Sequence, residues 1–205
     1  AIRDTSRTLV DVPLVKDENG YYTMDLESFE ATVQKKDVRL FILCSPHNPV
    51  GRVWHEEELR NLLDVCRRNG VYVIADEIHH DLIMPGQRQI TAAAAGDYDS
   101  ILITLTSASK TFNLASCQNA MAIIPNDALR AKYDAMTRKI KTQSGSSFGY
   151  VAYEAAFRGG KEWLEQVIQL IYGNYQILVK GLKQKLPEAV VSPLEGTYLA
   201  WVDLS

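Results

Sequence analysis

Apolar residues fall along this chain in two alternating rhythms. Short, nearly continuous runs at Leu40–Cys44, Val71–Ala75, Ile101–Thr106 and Ala120–Ile124 have the length and β-branched content of buried strands. Between them, apolar positions repeat with the helical period. From about Asp25, whose side chain can cap a first turn, Leu26, Phe29 and Val33 share a face. From Glu56 to Arg68 the stripe is Leu59, Leu62, Leu63 and Cys66, with acidic residues at the positive N-terminal end and Asn69-Gly70 as a stop. Asn126 or Asp127 caps a third helix carrying Leu129, Tyr133 and Met136. Upstream, an extended piece around Thr8–Val15 leads to a turn at Asn19-Gly20. Strands alternating with helices predict crossover units and a mostly parallel sheet. From Ser146 the rhythm changes. "FGYVAYEAAFRGG" predicts a helix ended by paired glycines, and "KEWLEQVIQLIYGNYQILVKGLKQKL" a long amphipathic helix weakly broken at Gly173. "AVVSPLEGTYLAWVDL" predicts two short strands around a Glu195-Gly196 turn.

Composition narrows the classes of function. The 205 residues are 46% apolar and 23% charged, enough to build an ordinary core. A net charge of −3 gives no electrostatic footprint for nucleic acid or an anionic membrane. No stretch is long and apolar enough to span a bilayer as a helix, and the first residues, "AIRDTSRTLVDVPL", hold no signal-peptide core. Cys44, Cys66 and Cys117 have no metal-ligand spacing; they predict reduced thiols of a cytoplasmic protein and no metal site.

The chemistry gathers where strands end. "LITLTSASK" closes a strand run and reaches Lys110; "VYVIAD" closes another on Asp76; "LFILCSPHNPVG" closes a third on Asn48-Pro49-Val50-Gly51. Singly, each has an ordinary explanation. Asn-Pro-x-Gly is a turn, an Asp after a strand caps a helix, and a serine before a lysine starts one. In series they bring an amide, a carboxylate and an amine to the carboxyl ends of three strands, where open α/β sheets bind ligands.

The strings "LFILCSPHNPVGRVW", "YVIADEIHHDL", "SASKTFNLAS", "AAFRGGKEWLE" and "EGTYLAWVDL" together resemble the fold-type I pyridoxal-phosphate enzymes of the class I/II aminotransferase superfamily. Within it they look most like the cystathionine β-lyase-like C–S lyases, from about Leu9 to Ser205. The resemblance implies a three-layer α/β sandwich around a mostly parallel sheet, with residues 1–161 in the large cofactor domain. Residues 162–205 would be the interdomain helix and the beginning of a small α+β domain.

It also implies roles. Lys110 would hold pyridoxal 5'-phosphate covalently and act as base. Asp76 would pair with the pyridinium nitrogen, and Asn48 would donate to the phenolic oxygen. Ser107 and Ser109 would bond the phosphate. His79 stands where many aminotransferases have a tyrosine on the phenolic oxygen, and Gln118 where many have a phosphate-binding arginine; both departures match the lyases. The implied reaction is α,β-elimination from cystathionine- or cysteine-type amino acids to pyruvate, ammonia and a thiol, in a homodimer. Alternatives are an aminotransferase, or a cofactor-binding relative that regulates through protein contacts. Compared with such enzymes, the ring-stacking aromatic, one phosphate loop and the carboxylate-binding arginine are missing, so the chain reads as an internal fragment, inactive when isolated. His80 reads as a flanking loop residue, Arg52 as a loop or interface charge, Cys117 as a small packed residue, and Tyr21, Tyr22, Trp54, Trp163 and Trp201 as core or interface.

Overall fold

A computed structural model describes residues 2–142 and 144–205. The chain opens with a small hairpin, β1 (Val15–Lys16) and β2 (Tyr22–Thr23), whose turn Asp17 organises by accepting from the Asn19 and Tyr21 amides at 2.9 and 2.8 Å. Helix α1 (Leu26–Lys36) follows, capped by Asp25, whose carboxylate accepts the Ser28 amide at 2.9 Å. Then come β3 (Leu40–Cys44), α2 (Glu56–Arg68), β4 (Tyr72–Asp76), β5 (Leu102–Thr106), the one-turn α3 (Ala108–Thr111) and β6 (Met121–Ile123). Three helices complete most of the remainder: α4 (Asp127–Ile140), α5 (Ser147–Gly159) and the 25-residue α6 (Lys161–Lys185). A last antiparallel pair joins β7 (Val190–Val191) to β8 (Val202–Asp203).

The central sheet runs β3-β4-β5-β6; the first three strands are parallel and β6 is antiparallel to β5. Register places Cys44 beside Asp76 and Asp76 beside Leu105, so the candidate carboxylate lies level with the ends of both neighbouring strands. One face carries Leu43, Val73, Ala75 and Leu102 into a core with α1 and α2. Leu59, Leu62 and Leu63 of α2 are almost fully buried there, each contributing roughly 1.5–3 kcal/mol by leaving water. The other face is barely covered: Leu40, Ile42 and Tyr72 stay more than 40% exposed. The amphipathic stripe of α4 is likewise open, with Tyr133, Met136 and Ile140 exposed, and Met121 and Ile123 of the edge strand β6 are half-exposed. Gly173 does not break α6, which is continuous. No helix of the described residues is long and apolar enough to cross a membrane.

The Glu195-Gly196 pair is not a free hairpin turn. Its segment threads back between two loops of the sheet. Glu195 and Gly196 donate their amides to the Gly51 carbonyl at 3.0 and 2.9 Å, Thr197 donates to Leu82 at 2.8 Å, and Met84 donates to the Glu195 carbonyl at 2.9 Å. Gly196 is required by this approach: a Cβ there would lie 2.9 Å from Val53 Cγ2 and 3.0 Å from Pro46 Cβ. Gly51, at φ +77°, supplies the left-handed residue that closes the Asn48 turn.

Candidate active site

Asn48, Asp76 and Lys110 all lie just past or at the carboxyl ends of β3, β4 and β5, as the strand reading predicts. Asn48 is exposed in a turn held from both sides, because Gly51 donates its amide to His47 at 2.8 Å and His47 donates to Arg52 at 2.7 Å. Asp76 is half-buried; its carboxylate accepts the Ile78 amide at 3.3 Å, which folds the chain sharply toward His79.

Lys110 sits on α3, a single turn that local forces hold firmly. Ser107 caps it, accepting the Ser109 amide at 3.0 Å. Thr111 donates its hydroxyl to Asp81 at 2.8 Å. Phe112 packs edge-on against Phe157 of α5 and beside Trp163 of α6, with centroids 5.5 and 5.8 Å away. Among the described residues no hydrogen bond or ion pair occupies the Lys110 amine. Ser107 donates to the Asn119 carbonyl at 2.5 Å and its oxygen also meets the Ser109 hydroxyl. The Ser107 proton is therefore spent inside the protein, and Ser109 is the freer hydroxyl of the pair.

His79 is 2% exposed and its Nδ1 has no hydrogen-bond partner. Burial holds its pKa below the usual histidine value, the Lys110 charge pushes the same way, and Asp76 opposes both. The ring is thus neutral near pH 7, with an unsatisfied nitrogen beside the amine and the carboxylate. Tyr198 closes over it edge-on, centroid to centroid 5.3 Å. Tyr198 was not legible as a site residue in the sequence; its sole signal is that "EGTYLAW" lacks strand alternation, so the segment had to bind something other than a neighbouring strand. His80 is more than a flanking loop residue. Its Nδ1 donates to the Glu77 carbonyl at 2.7 Å and meets Thr106 at 3.1 Å, while Nε2 lies 3.3 Å from Asp81. A chain of contacts thereby ties the β4 loop to the helix of Lys110.

Arg52 corrects the expectation of a loop or interface charge. It is 1% exposed. Nε donates to Glu195 at 2.9 Å, Nη2 meets both Glu58 oxygens at 3.1 and 2.8 Å, and Nη1 donates to the Tyr22 carbonyl. The guanidinium carbon lies 4.0 Å from the Tyr21 ring centroid and 4.7 Å from that of Trp54. The residue tolerates burial because each guanidinium nitrogen finds an acceptor and two aromatic rings pack against it.

An apolar cleft of about 740 Å³ lies elsewhere, between the chain at Leu9–Leu14, α1 and the free edge of β3. It is lined by neither Lys110 nor Asp76, so the strand ends remain the candidate site. The donor set there fits pyridoxal phosphate: an unoccupied amine for its aldehyde, a carboxylate for its ring nitrogen, and an orphaned imidazole nitrogen, an exposed amide and a hydroxyl for its oxygens.

Residues 1–205 match the sequence profile of the family Aminotransferase class I and II. The chain belongs to this family. Among its curated members, cystathionine β-lyase PatB of Bacillus subtilis is 35% identical over all of the chain and 53% of its own length. Protein MalY of Escherichia coli is 35% identical, over 100% of the chain and 52% of its own. The PLP-bound C–S lyase structure from Staphylococcus hominis superposes with a TM-score of 0.92 at 36% identity, covering 98% of this chain and 50% of that one. The chain therefore spans about half the length of the family members it matches, and the mixed, mostly parallel sheet with its helices is the family's fold.

Proposed function

We propose that this chain forms the cofactor-binding part of a pyridoxal-phosphate-dependent C–S β-lyase acting on cystathionine- or cysteine-type amino acids. The observation that carries the reading is the placement of Lys110 and Asp76 at the strand ends together with the buried His79, whose Nδ1 has no partner. The likeness to proteins named cystathionine β-lyase and C–S lyase supports it. When bound, pyridoxal phosphate supplies an electron-withdrawing ring that makes the Cα proton of an attached amino acid acidic. Lys110 would hold the cofactor by its aldehyde carbon, and its Nζ, when free, would take the Cα proton of the substrate. That proton then moves from Nζ to the departing sulfur. Asp76 would pair its carboxylate with the protonated ring nitrogen. His79 offers Nδ1 and Asn48 its amide to the ring oxygen, and Ser109, backed by Ser107, offers its hydroxyl to the phosphate.

Residues 1–161 belong on this reading to the large domain, and 162–205 to the interdomain helix and the beginning of a small one. The 25 residues of α6, spanning roughly 37 Å at 1.5 Å per residue, suit such a bridge. Exposed Phe148, Val151 and Ile177 suit a homodimer, and three unpaired thiols suit the cytoplasm.

The test is to give L-cystathionine to the intact protein and measure pyruvate, thiol and keto-acid products together. Pyruvate with free thiol is expected, and Lys110→Ala should abolish both turnover and borohydride trapping of the cofactor. Dominant keto-acid exchange would replace this reading with an aminotransferase, and a reduced adduct on another lysine would remove Lys110 from its role.

A further inference from the structure

We propose that Arg52 is a positioning residue, which through Glu195 locks Leu194–Tyr198 against the Asn48 turn and so holds Tyr198 over His79. The proposal deepens the reading of the site given above and rests on it for its catalytic consequence.

The guanidinium joins two carboxylates that arrive from opposite sides. Glu58 is anchored on α2, because its Oε2 also accepts the His55 amide at 2.8 Å and thereby caps that helix. Glu195 is what Arg52 holds: its Oε2 accepts Arg52 Nε and the Val53 amide, both at 2.9 Å, in a site where the carboxylate is nearly buried. A buried carboxylate stays put only while its charge is matched.

The backbone that follows needs that hold. Thr197 is fully buried and sits at φ +70°, a left-handed conformation that a β-branched residue keeps only under outside constraint. The constraints are the amide bonds to Gly51 and Leu82, and Arg52 closes the loop that presents the Gly51 carbonyl. The next residue is Tyr198, whose ring meets His79. On its other side Arg52 accepts the His47 amide through its own carbonyl and so shapes the turn of Asn48. One buried residue thus touches two walls of the site, the Glu195 segment through its guanidinium and the Asn48 turn through its backbone carbonyl. Arginine is needed, because the planar fork aims Nε at Glu195 and Nη2 at Glu58 simultaneously; an ammonium cannot.

The test uses the intact protein with E195Q, E58Q and R52K, read first by hydrogen exchange. E195Q keeps the shape and an acceptor oxygen but removes the charge. Amides of residues 195–197 should exchange about tenfold faster in E195Q and R52K, since a charged acceptor binds more strongly than a neutral one. E58Q should speed exchange in the first turn of α2 and leave 195–197 protected. Unchanged exchange at 195–197 in E195Q, or equal acceleration in E58Q, would overturn the proposal. In the holoenzyme, E195Q should lower kcat/KM about tenfold, mainly through kcat, with E58Q near wild type. Faster exchange with unchanged kcat/KM would mean that the segment is clamped without serving the site, and would overturn it too. A protein that binds no pyridoxal phosphate would sink the lyase reading and leave the exchange experiment to decide the clamp.

Discussion

Replacing Gly196 by alanine adds one methyl group where the structure has no room for it. The new Cβ would stand 2.9 Å from Val53 Cγ2, 3.0 Å from Pro46 Cβ and 3.2 Å from Pro46 Cγ. Carbon atoms in good contact sit about 3.5–4.0 Å apart, so each neighbour must retreat by roughly half an ångström or more. Neither can do so by turning a flexible side chain. One is a proline ring, the other a β-branched residue with a stiff χ1, and both are buried. The backbone must move, and with it the amide bonds from Glu195 and Gly196 to Gly51. Overpacking of this kind costs about 1–3 kcal/mol. For a domain of this size each kcal/mol lowers Tm by about 2–4 °C, so a loss of about 4–8 °C is expected at the middle of that range. Circular dichroism during heating, with urea unfolding to confirm an unchanged slope, measures it. A Tm equal to or above that of the parent would refute the close packing of this segment against Pro46 and Val53.

Three further outcomes follow from the same geometry. Asp76→Asn, nearly isosteric, should leave the cofactor bound and lower turnover by about 10²–10³, because an amide brings no charge to the ring nitrogen; a near-normal rate would remove Asp76 from that role. His79 has its pKa depressed in the folded state, first by burial and then by Lys110. Neutral His79 therefore favours folding: stability should be full above about pH 6.5 and decline below it until the folded-state pKa is passed. Urea midpoints at about pH 7.5 and 5.5 should differ more in the parent than in His79→Gln, and an equal difference would contradict the depressed value. Gly173 lies inside α6 with nothing within 4 Å of a new Cβ, so Gly173→Ala should stabilise by about 0.5–1 kcal/mol. A lower Tm would mean that α6 does not run unbroken through this position.

What the sequence made legible was local. Leu40–Cys44 and Glu56–Arg68 form a strand and a helix with the bounds read from hydropathy, because each is specified by its own periodicity and by Asn69-Gly70 at the stop. Asp25 caps the helix it was expected to cap, and of the pair Asn126 and Asp127 it is Asn126 that caps α4. Asn48, Asp76 and Lys110 could be placed at the ends of three strands because strand ends can be recognised from strands alone. Arg52 was misread because its partners, Glu58 and Glu195, are 6 and 143 residues away, and nothing in "VGRVW" announces them beyond the apolar neighbours on each side. Tyr198 was missed for the same reason: its role follows from the left-handed turn at Thr197, which no local pattern encodes. The stripe of α4 was visible as a pattern, but hydropathy cannot say whether a neighbour covers it.

The Arg52 cluster also sets an order of events in synthesis. Its second carboxylate is made 143 residues after the arginine, and the Lys16–Asp203 ion pair beside it spans 187. During translation the Asn48 turn, α2 and the parallel strands all emerge while Glu195 is still unmade. Until then Arg52 has one glutamate instead of two, and the Gly51 carbonyl lacks the amides that finish the turn. The sheet can form from near neighbours, but the loop that presents Asn48 reaches its final shape only when residues far downstream return to it. A ribosome-bound chain stopped before Glu195 should hold a folded sheet and an unfinished site. On this reading the segment that closes the Asn48 turn from outside is the last part of the site to arrive.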